Sequence, residues 1–431
     1  MKYTLVSLLA ISFFFATTAE AAVSDEDIRQ LRIQLEALSS RLDELAAENA
    51  ELRDAQAKSE TAIEQVEAAV AEAPAAPSAS ESWSDRVSLG GDFRYRYEYI
   101  DPEGSSTRNR NRVRARVNLK ANVADRVEVG FGLATGGDDP VSTNQTLGGG
   151  GSSKGVALNL AYADWEVADD LHVIFGKFKN PLTRAGGTPL AWDGDWTPEG
   201  LALQYKNGNY FANALVSMLE SDSRRGNSLT SWGGQIGASG VIGDVKVKGG
   251  IGYFSIPTAG QATNFGDPTD PGDYFGNTAV EAGGLACGTT EGADCTYLYD
   301  YDLTQLFAEA SFEVGDWPVL VFLDYMNNSD ASDNDTAWLF GTKIGQAKDR
   351  GQTQFTYYYA DKQADSVLGL LTDSDFGGGG TDSEGHWLQV NVGVNKSWTI
   401  GAQYFINEVD VASGSKSDYN RLMIDMQWKW K

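Results

Sequence analysis

The sequence predicts an all-β transmembrane barrel of about 16 antiparallel strands, preceded by an N-terminal α-helical coiled coil. Three observations carry this expectation. From about residue 83 onward, apolar and polar residues alternate with a period of two over segments long enough to cross a membrane as tilted strands. The connections between those segments alternate between tiny turns and long loops. Ahead of them, apolar residues recur at steps of three and four. Composition agrees: 18 Phe, 18 Tyr, 11 Trp and 48 Gly against 11 Pro suit many short strands and tight turns.

Residues 1–21 read as a signal peptide. Lys2 supplies a basic start, Leu5 to Ala16 is an apolar run too short for a membrane helix, and Ala19-Glu20-Ala21 fits the small-x-small cleavage rule. Residues 24–72 read as a periplasmic coiled coil. Ile28, Leu35 and Leu42 fall at a, and Leu31, Leu38, Leu45 and Leu52 at d, so the helix buries a narrow seam against copies of itself. At roughly 1.5 Å per residue the stalk is about 65 Å long. Asn49 at a interrupts the seam, and a polar a residue specifies register and strand number at a cost in stability. Leucine at both positions fits two helices or three. Residues 73–82, rich in Pro and Ala, read as a stiff linker.

Residues 83–431 form the barrel domain. Strands are expected near 86–100, 109–123, 126–136, 154–168, 170–178, 199–206, 209–219, 230–241, 244–256, 299–314, 317–327, 335–346, 350–361, 384–394, 397–408 and 418–430. Every second connection is minimal, such as Asn207-Gly208 or Gly243, while 137–153, 179–198, 257–298 and 362–383 are long. A soluble sandwich has no reason to segregate its turns this way. An up-and-down barrel in the bacterial outer membrane does, with short turns in the periplasm and long loops outside. Trp165, Trp317, Trp398, Trp428 and Trp430 fall near turn-side strand ends, where an interfacial girdle belongs. One strand is anomalous: Trp317 to Met326 is apolar on both faces except at Asp324, as expected of a subunit contact or of a strand beneath a folded-in loop.

Charge and composition exclude several functions. The formal charge of −26, from 34 basic and 60 acidic residues, argues against nucleic acid as a partner. Part of that charge belongs to the stalk, where residues 24–82 carry 14 acidic and five basic side chains. Two histidines and two cysteines offer no metal spacing, and no nucleophile elbow accompanies His172 or His386, so no metal, cofactor or enzymatic activity is expected. Asp330, Asp333 and Asp335 lack the glycine and terminal glutamate of a calcium loop and read as solvated charge.

Several motifs in the first 200 residues carry a family likeness. They are the arginine-alternating start (Asp92 to Tyr99, then Arg108 to Arg116), Ala134-Thr135-Gly136 followed by Ser142-Thr143-Asn144, Gly176-Lys177-Phe178-Lys179-Asn180-Pro181, and Trp192 through Gly200. With the signal peptide, coiled coil and 16 strands, the chain resembles the putative porins of Gram-negative outer membranes, and its layout is similar to that of phosphate-selective porins. The last strand departs from the usual aromatic terminus, since Lys431 follows Trp430.

The resemblance implies a passive channel for small hydrophilic solutes and ions. Strict alternation points Arg94, Arg96, Arg108, Arg110, Arg112, Arg114, Arg116 and Lys120 toward the lumen, where a basic stripe biases passage toward anions. The competing reading pairs them with loop acids such as Asp193, Asp195 and Glu199, giving a transverse field instead. The third long loop, 179–198, sits where many porins fold a loop inward, and Lys179, Arg184, Asp193 and Asp195 are its constriction candidates. Cys287 and Cys295 are expected to form a disulfide after export, with a free-thiol pair as the alternative. Expected partners are outer-membrane lipid, lipopolysaccharide and identical subunits, as a homotrimer. In an alternative reading the barrel is chiefly an anchor, and the coiled coil ties it to peptidoglycan or a periplasmic partner.

Overall fold

The computed structural model describes Arg53 and residues 83–221 and 228–431. The expected signal peptide, the seam from Ile28 to Leu52 and the linker 73–82 lie outside the described residues. The barrel domain contains 16 long strands: β1 (Val87–Pro102), β2 (Arg108–Ala124), β3 (Val127–Thr135), β4 (Val156–Ala168), β5 (Leu171–Lys177), β6 (Glu199–Asn207), β7 (Tyr210–Glu220), β8 (Leu229–Ile242), β9 (Val245–Ile256), β10 (Tyr301–Val314), β11 (Trp317–Asn328), β12 (Thr336–Gly345), β13 (Thr353–Lys362), β14 (Ser383–Asn395), β15 (Trp398–Val409) and β16 (Ser417–Trp430). Each boundary lies within three residues of the sequence expectation.

Successive strands pair antiparallel, and β1 pairs antiparallel with β16 from Gly91↔Trp430 to Pro102↔Tyr419, which closes the sheet. Closure leaves no strand edge unpaired, a requirement for a sheet in hydrocarbon. At the seam a Cβ on Gly91 would lie 2.5 Å from the Trp430 indole, so glycine is what lets the last strand lie flat on the first. The short turns need one residue in the left-handed region. Gly243 (φ 60°) takes it without strain, whereas Arg126 (φ 59°) takes it as an ordinary side chain.

Alternation decides the two faces. Phe93, Phe131, Leu203, Ile251, Phe340 and Met426 are exposed on the outside, while Arg96, Glu98, Gln235, Gln305 and Asp324 are buried within. A polar interior under an apolar wall inverts the soluble pattern and matches lipid as the outer solvent. Trp165, Trp317 and Trp430 are exposed at the turn end, where Trp398 and Trp428 stack 5.2 Å apart.

The lumen is partly filled by loops. L3 (residues 178–198) enters the barrel between β5 and β6, and L7 (residues 363–382) enters between β13 and β14. They join where Thr372 Oγ1 donates to Pro189 and Leu190 carbonyls (3.0 and 2.7 Å) and Asp193 N–H to Leu371 O (2.8 Å). L5 (residues 257–300) caps L7: Asn277 Nδ2 donates to Ala364 O (2.7 Å) and Val367 O (2.9 Å), and Gly369 N–H donates back to Asn277 Oδ1 (2.7 Å). Val367, Leu368, Leu370, Leu371, Tyr274 and Tyr297 are buried in this loop core. Within L5, Cys287 and Cys295 are joined by a disulfide.

L3 also explains the anomalous strand β11. Phe322, Asp324 and Met326 point inward and are buried. Gly186 (φ 59°) lies so close above that a Cβ there would stand 2.6 Å from the Phe322 ring. Of the two readings open in the sequence, the folded-in loop is the one the geometry shows.

Candidate functional site: the loop-narrowed lumen

L3 crosses the lumen from one wall to the other. On the far side it is fixed by an amide side chain, backbone groups and one carboxylate. Thr183 N–H donates to Gln235 Oε1 (2.7 Å), Gln235 Nε2 returns to Thr183 O (2.9 Å), and Gly186 N–H donates to Glu309 Oε1 (2.7 Å). Gln305 links this group to Asp324 (2.8 Å) and accepts from Gln235 (2.6 Å).

On the near side stand the arginines of β1 and β2. In this register Arg94 lies opposite Arg114, and Arg96 opposite Arg112. Four arginines so close repel one another unless carboxylates intervene, and five carboxylates do. Asp92 pairs with Arg114 (3.0 Å) and Arg116 (2.8 Å). Asp195, from L3, pairs with the same two arginines (3.3 and 2.9 Å) and accepts from Thr143 (3.3 Å). Glu98 meets Arg110, Arg421 (3.1 Å) and Arg112 (3.5 Å). Asp375, from L7, takes Arg96 (3.1 Å) and Arg421 (2.7 Å), and Asp425 holds Arg96 at 2.7 Å.

The remaining residues singled out in the sequence divide. Arg184, Asp193 and Asp195 line a cavity of about 580 Å³ together with Arg94, Arg96 and Arg114. Lys179 does not line it and is exposed at the entry of L3. Arg108 is exposed at the loop end, and Lys120 pairs with Glu128 (2.7 Å) toward the turn end. Glu199 pairs with Lys177 (2.8 Å), not with the arginine wall. The sequence reading missed Asp373 and Asp375 of L7, and also Asp92, Glu98, Arg421 and Asp425. The last four sit on the same alternating face as the arginines, and the run Val367-Leu368-Gly369-Leu370-Leu371 is too apolar for a solvated loop. Those were the signals.

Two loop aspartates two residues apart are tuned oppositely. Burial pushes the Asp195 carboxyl up, but Arg114 and Arg116 outweigh it and hold the group below the usual carboxylate range. Burial pushes Asp193 well above that range, and Asp373 and Asp195 push it the same way. Asp193 accepts only backbone N–H groups, from Asp195 (2.7 Å) and Ser374 (3.3 Å). Asp375 behaves like Asp195: Arg421 and Arg96 override its burial. Among the described residues no cluster of three or more His, Cys, Asp or Glu is arranged to hold a metal.

A family model described as "Putative porin" matches residues 98–221 and 292–430, which is most of the barrel. The chain belongs to the putative porin family. Within the barrel the unmatched stretches are 83–97, which include Asp92, Arg94 and Arg96, and 222–291, which cover β8, β9 and most of L5. Among solved structures, this porin is similar to the high-pH structure of Pseudomonas putida OprB, with TM-score 0.55 and 13% identity over 80% of this chain and 95% of that one. It aligns more loosely with Salmonella typhi OmpF in complex with daunomycin, with TM-score 0.47 and 10% identity over 81% and 100% of the two chains. No curated protein matches. At such identity the OprB likeness concerns fold alone: a closed antiparallel barrel of the outer-membrane type.

Proposed function

We propose that this porin is a passive, water-filled channel for small hydrophilic solutes and ions, with a bias toward anions. The supporting observation is the cavity beside L3 and L7, bounded by a closed wall and lined by seven cationic side chains (Arg94, Arg96, Arg114, Arg184, Lys343, Lys348, Lys429) against five aspartates. Burial and neighbouring carboxylates push Asp193 up, and burial pushes Asp373 up, toward the neutral form. Most of the arginine stripe is spent on carboxylates, so the bias is moderate. Reversal potentials in a salt gradient test it: a chloride preference is expected. A strong cation preference, unchanged when Arg112 and Arg114 become Ala, would remove the arginines from selectivity.

In this reading the short turns face the periplasm and the long loops the exterior, where they meet lipopolysaccharide. Residues 1–21 are cleaved, 24–72 form the periplasmic coiled coil and 73–82 the linker. The assembly is a homotrimer. Its support on the barrel is a polar patch on the outer wall, where Tyr95 donates to Asn111 and Tyr97 to Asn109 (both 2.7 Å), since asparagine suits a protein contact better than lipid. Cross-linking in membranes tests the stoichiometry. The heptad seam also supports a tether to peptidoglycan or a periplasmic partner. Deleting 24–82 should then detach the envelope while leaving conductance unchanged.

A further inference from the structure

Charge pairing leaves the cavity with a local imbalance that the stripe as a whole does not have. Of its four arginines, Arg96 and Arg114 are committed, to Asp425 and Asp375 and to Asp92 and Asp195. Arg94 and Arg184 have no carboxylate within 4 Å among the described residues. Arg94 donates Nη2 to Asn144 Oδ1 (2.6 Å), while its Nε is buried with no hydrogen-bond partner. Asn144 Oδ1 is directed there because its own Nδ2 is spent on Ser142 Oγ (3.2 Å). Arg184 makes one long bond, to Trp192 O (3.4 Å), and its guanidinium lies against Gly194, where a Cβ would come within 3.2 Å of Nη1. Trp387, also in the cavity lining, has a buried Nε1 with no partner.

The unspent groups are all N–H donors, and two belong to fixed positive charges. Buried donors without acceptors, and a guanidinium beside like-charged neighbours, are costly to leave unmatched. The complementary ligand carries acceptors only and a negative charge, and the planar fork of arginine matches a carboxylate in particular. Five aspartates line the same cavity and penalise each further negative charge on a solute. We infer that Arg94 and Arg184, with the Trp387 indole N–H, form a subsite for the carboxylate of a small organic monoanion passing through the channel. The inference rests on the channel reading above and gives it a substrate class.

Acetate current through the purified full-length protein in planar bilayers provides the test, at constant ionic strength with inorganic phosphate as the comparison anion. Wild-type acetate current should saturate. Its half-saturation should rise about tenfold in Arg94→Gln, the loss expected for one charge-assisted hydrogen bond. A rise is expected in Arg184→Gln too, and a smaller one in Arg94→Lys, which keeps the charge and loses the fork. Arg94→Lys also keeps the test decisive if Arg94→Gln does not assemble. Acetate current that stays linear in wild type, or is unmoved in either Arg94 variant, overturns the subsite. Tighter binding of phosphate than acetate overturns the monoanion assignment. Wild-type protein with no conductance in any salt overturns the channel reading itself.

Discussion

The two ends of L3 are held by different physics. Toward β8, β10 and β11 the loop is fastened by hydrogen bonds from its backbone to the Gln235 amide and the Glu309 carboxylate and by Gly186 pressed on Phe322. Toward β1 and β2 it is fastened by Asp195 set between Arg114 and Arg116. The first contact depends on shape and on filled hydrogen bonds among amides, backbone groups and the Glu309 carboxylate, so it responds first to volume. The second depends on charge balance in a wall where Asp92, Asp195, Glu98 and Asp375 each serve two or more arginines, so removing one member upsets several partners. A loop pinned by packing at one end and by charge at the other can keep its place while its charged tip responds to the solution.

That contrast can be broken at four points, in decreasing order of expected effect. Deleting 184–195 removes Gly186, Asp195 and the narrowing between them, leaving only the Thr183–Gln235 pair, and single-channel conductance should rise severalfold; unchanged conductance would take L3 out of the pore. Arg421→Met leaves Glu98 without its 3.1 Å partner and Asp375 without its 2.7 Å partner, both inside the wall. Breaking a buried pair from one side costs about 3–5 kcal/mol, an upper figure here because Arg110 and Arg96 remain, and thermal unfolding followed by heat-modified gel migration should show it. Gly186→Val forces a branched side chain onto Phe322 at a positive φ, for about 1–3 kcal/mol of overpacking strain, and conductance should become noisy as that end of L3 lifts. Lys416→Gln, on an exposed salt bridge with Glu408 (2.9 Å), should change neither stability nor conductance measurably.

A pH titration sharpens the same comparison. The Asp193 carboxyl is raised in the folded loop by burial and by Asp373 and Asp195, with Lys362 and Arg184 as the nearby cations. A raised carboxyl stabilises L3 against L7 while it holds its proton. That contribution is complete at and below the ordinary carboxylate range and is lost as pH rises through the raised value. Conductance of wild type should therefore increase as pH rises through that raised value and L3 and L7 loosen. Asp193→Asn, which cannot ionise, should flatten the profile; a profile identical to wild type would place the titration elsewhere.

Strand count, strand limits and the alternation of turns and loops were legible because a membrane barrel writes its faces into every second residue. The inward orientation of Arg110 to Arg116 follows from the same rule. Pairing was less legible. Asp92 and Glu98 lie on the arginine face of β1 and could have been read, but Asp375 and Asp425 come from positions about 280 and 330 residues away, and only closure brings them to Arg96. L7 was hidden for a different reason. Its glycines and aspartates look like solvent-exposed loop, and its five-residue apolar run acquires meaning only beneath L5 and beside L3. Lys179 illustrates the converse: residue type and position suit a constriction, yet the chain reaches the cavity only five residues later, at Arg184.

The β1–β16 seam sets the order in which this porin can assemble. Hairpins such as β13–β14 or β15–β16 join neighbours in sequence, and their loop-closure entropy is small. Bringing Arg96 to Asp425 closes a span of 329 residues, so it belongs to the final step and to the slow part of folding. Until then Arg96, Glu98 and Arg421 remain hydrated at two open edges, and the carboxylates of L3 and L7 have an incomplete wall to dock on. The narrowed lumen is thus a late product of folding, and a chain stalled before closure exposes charged strand edges that water can solvate and lipid cannot.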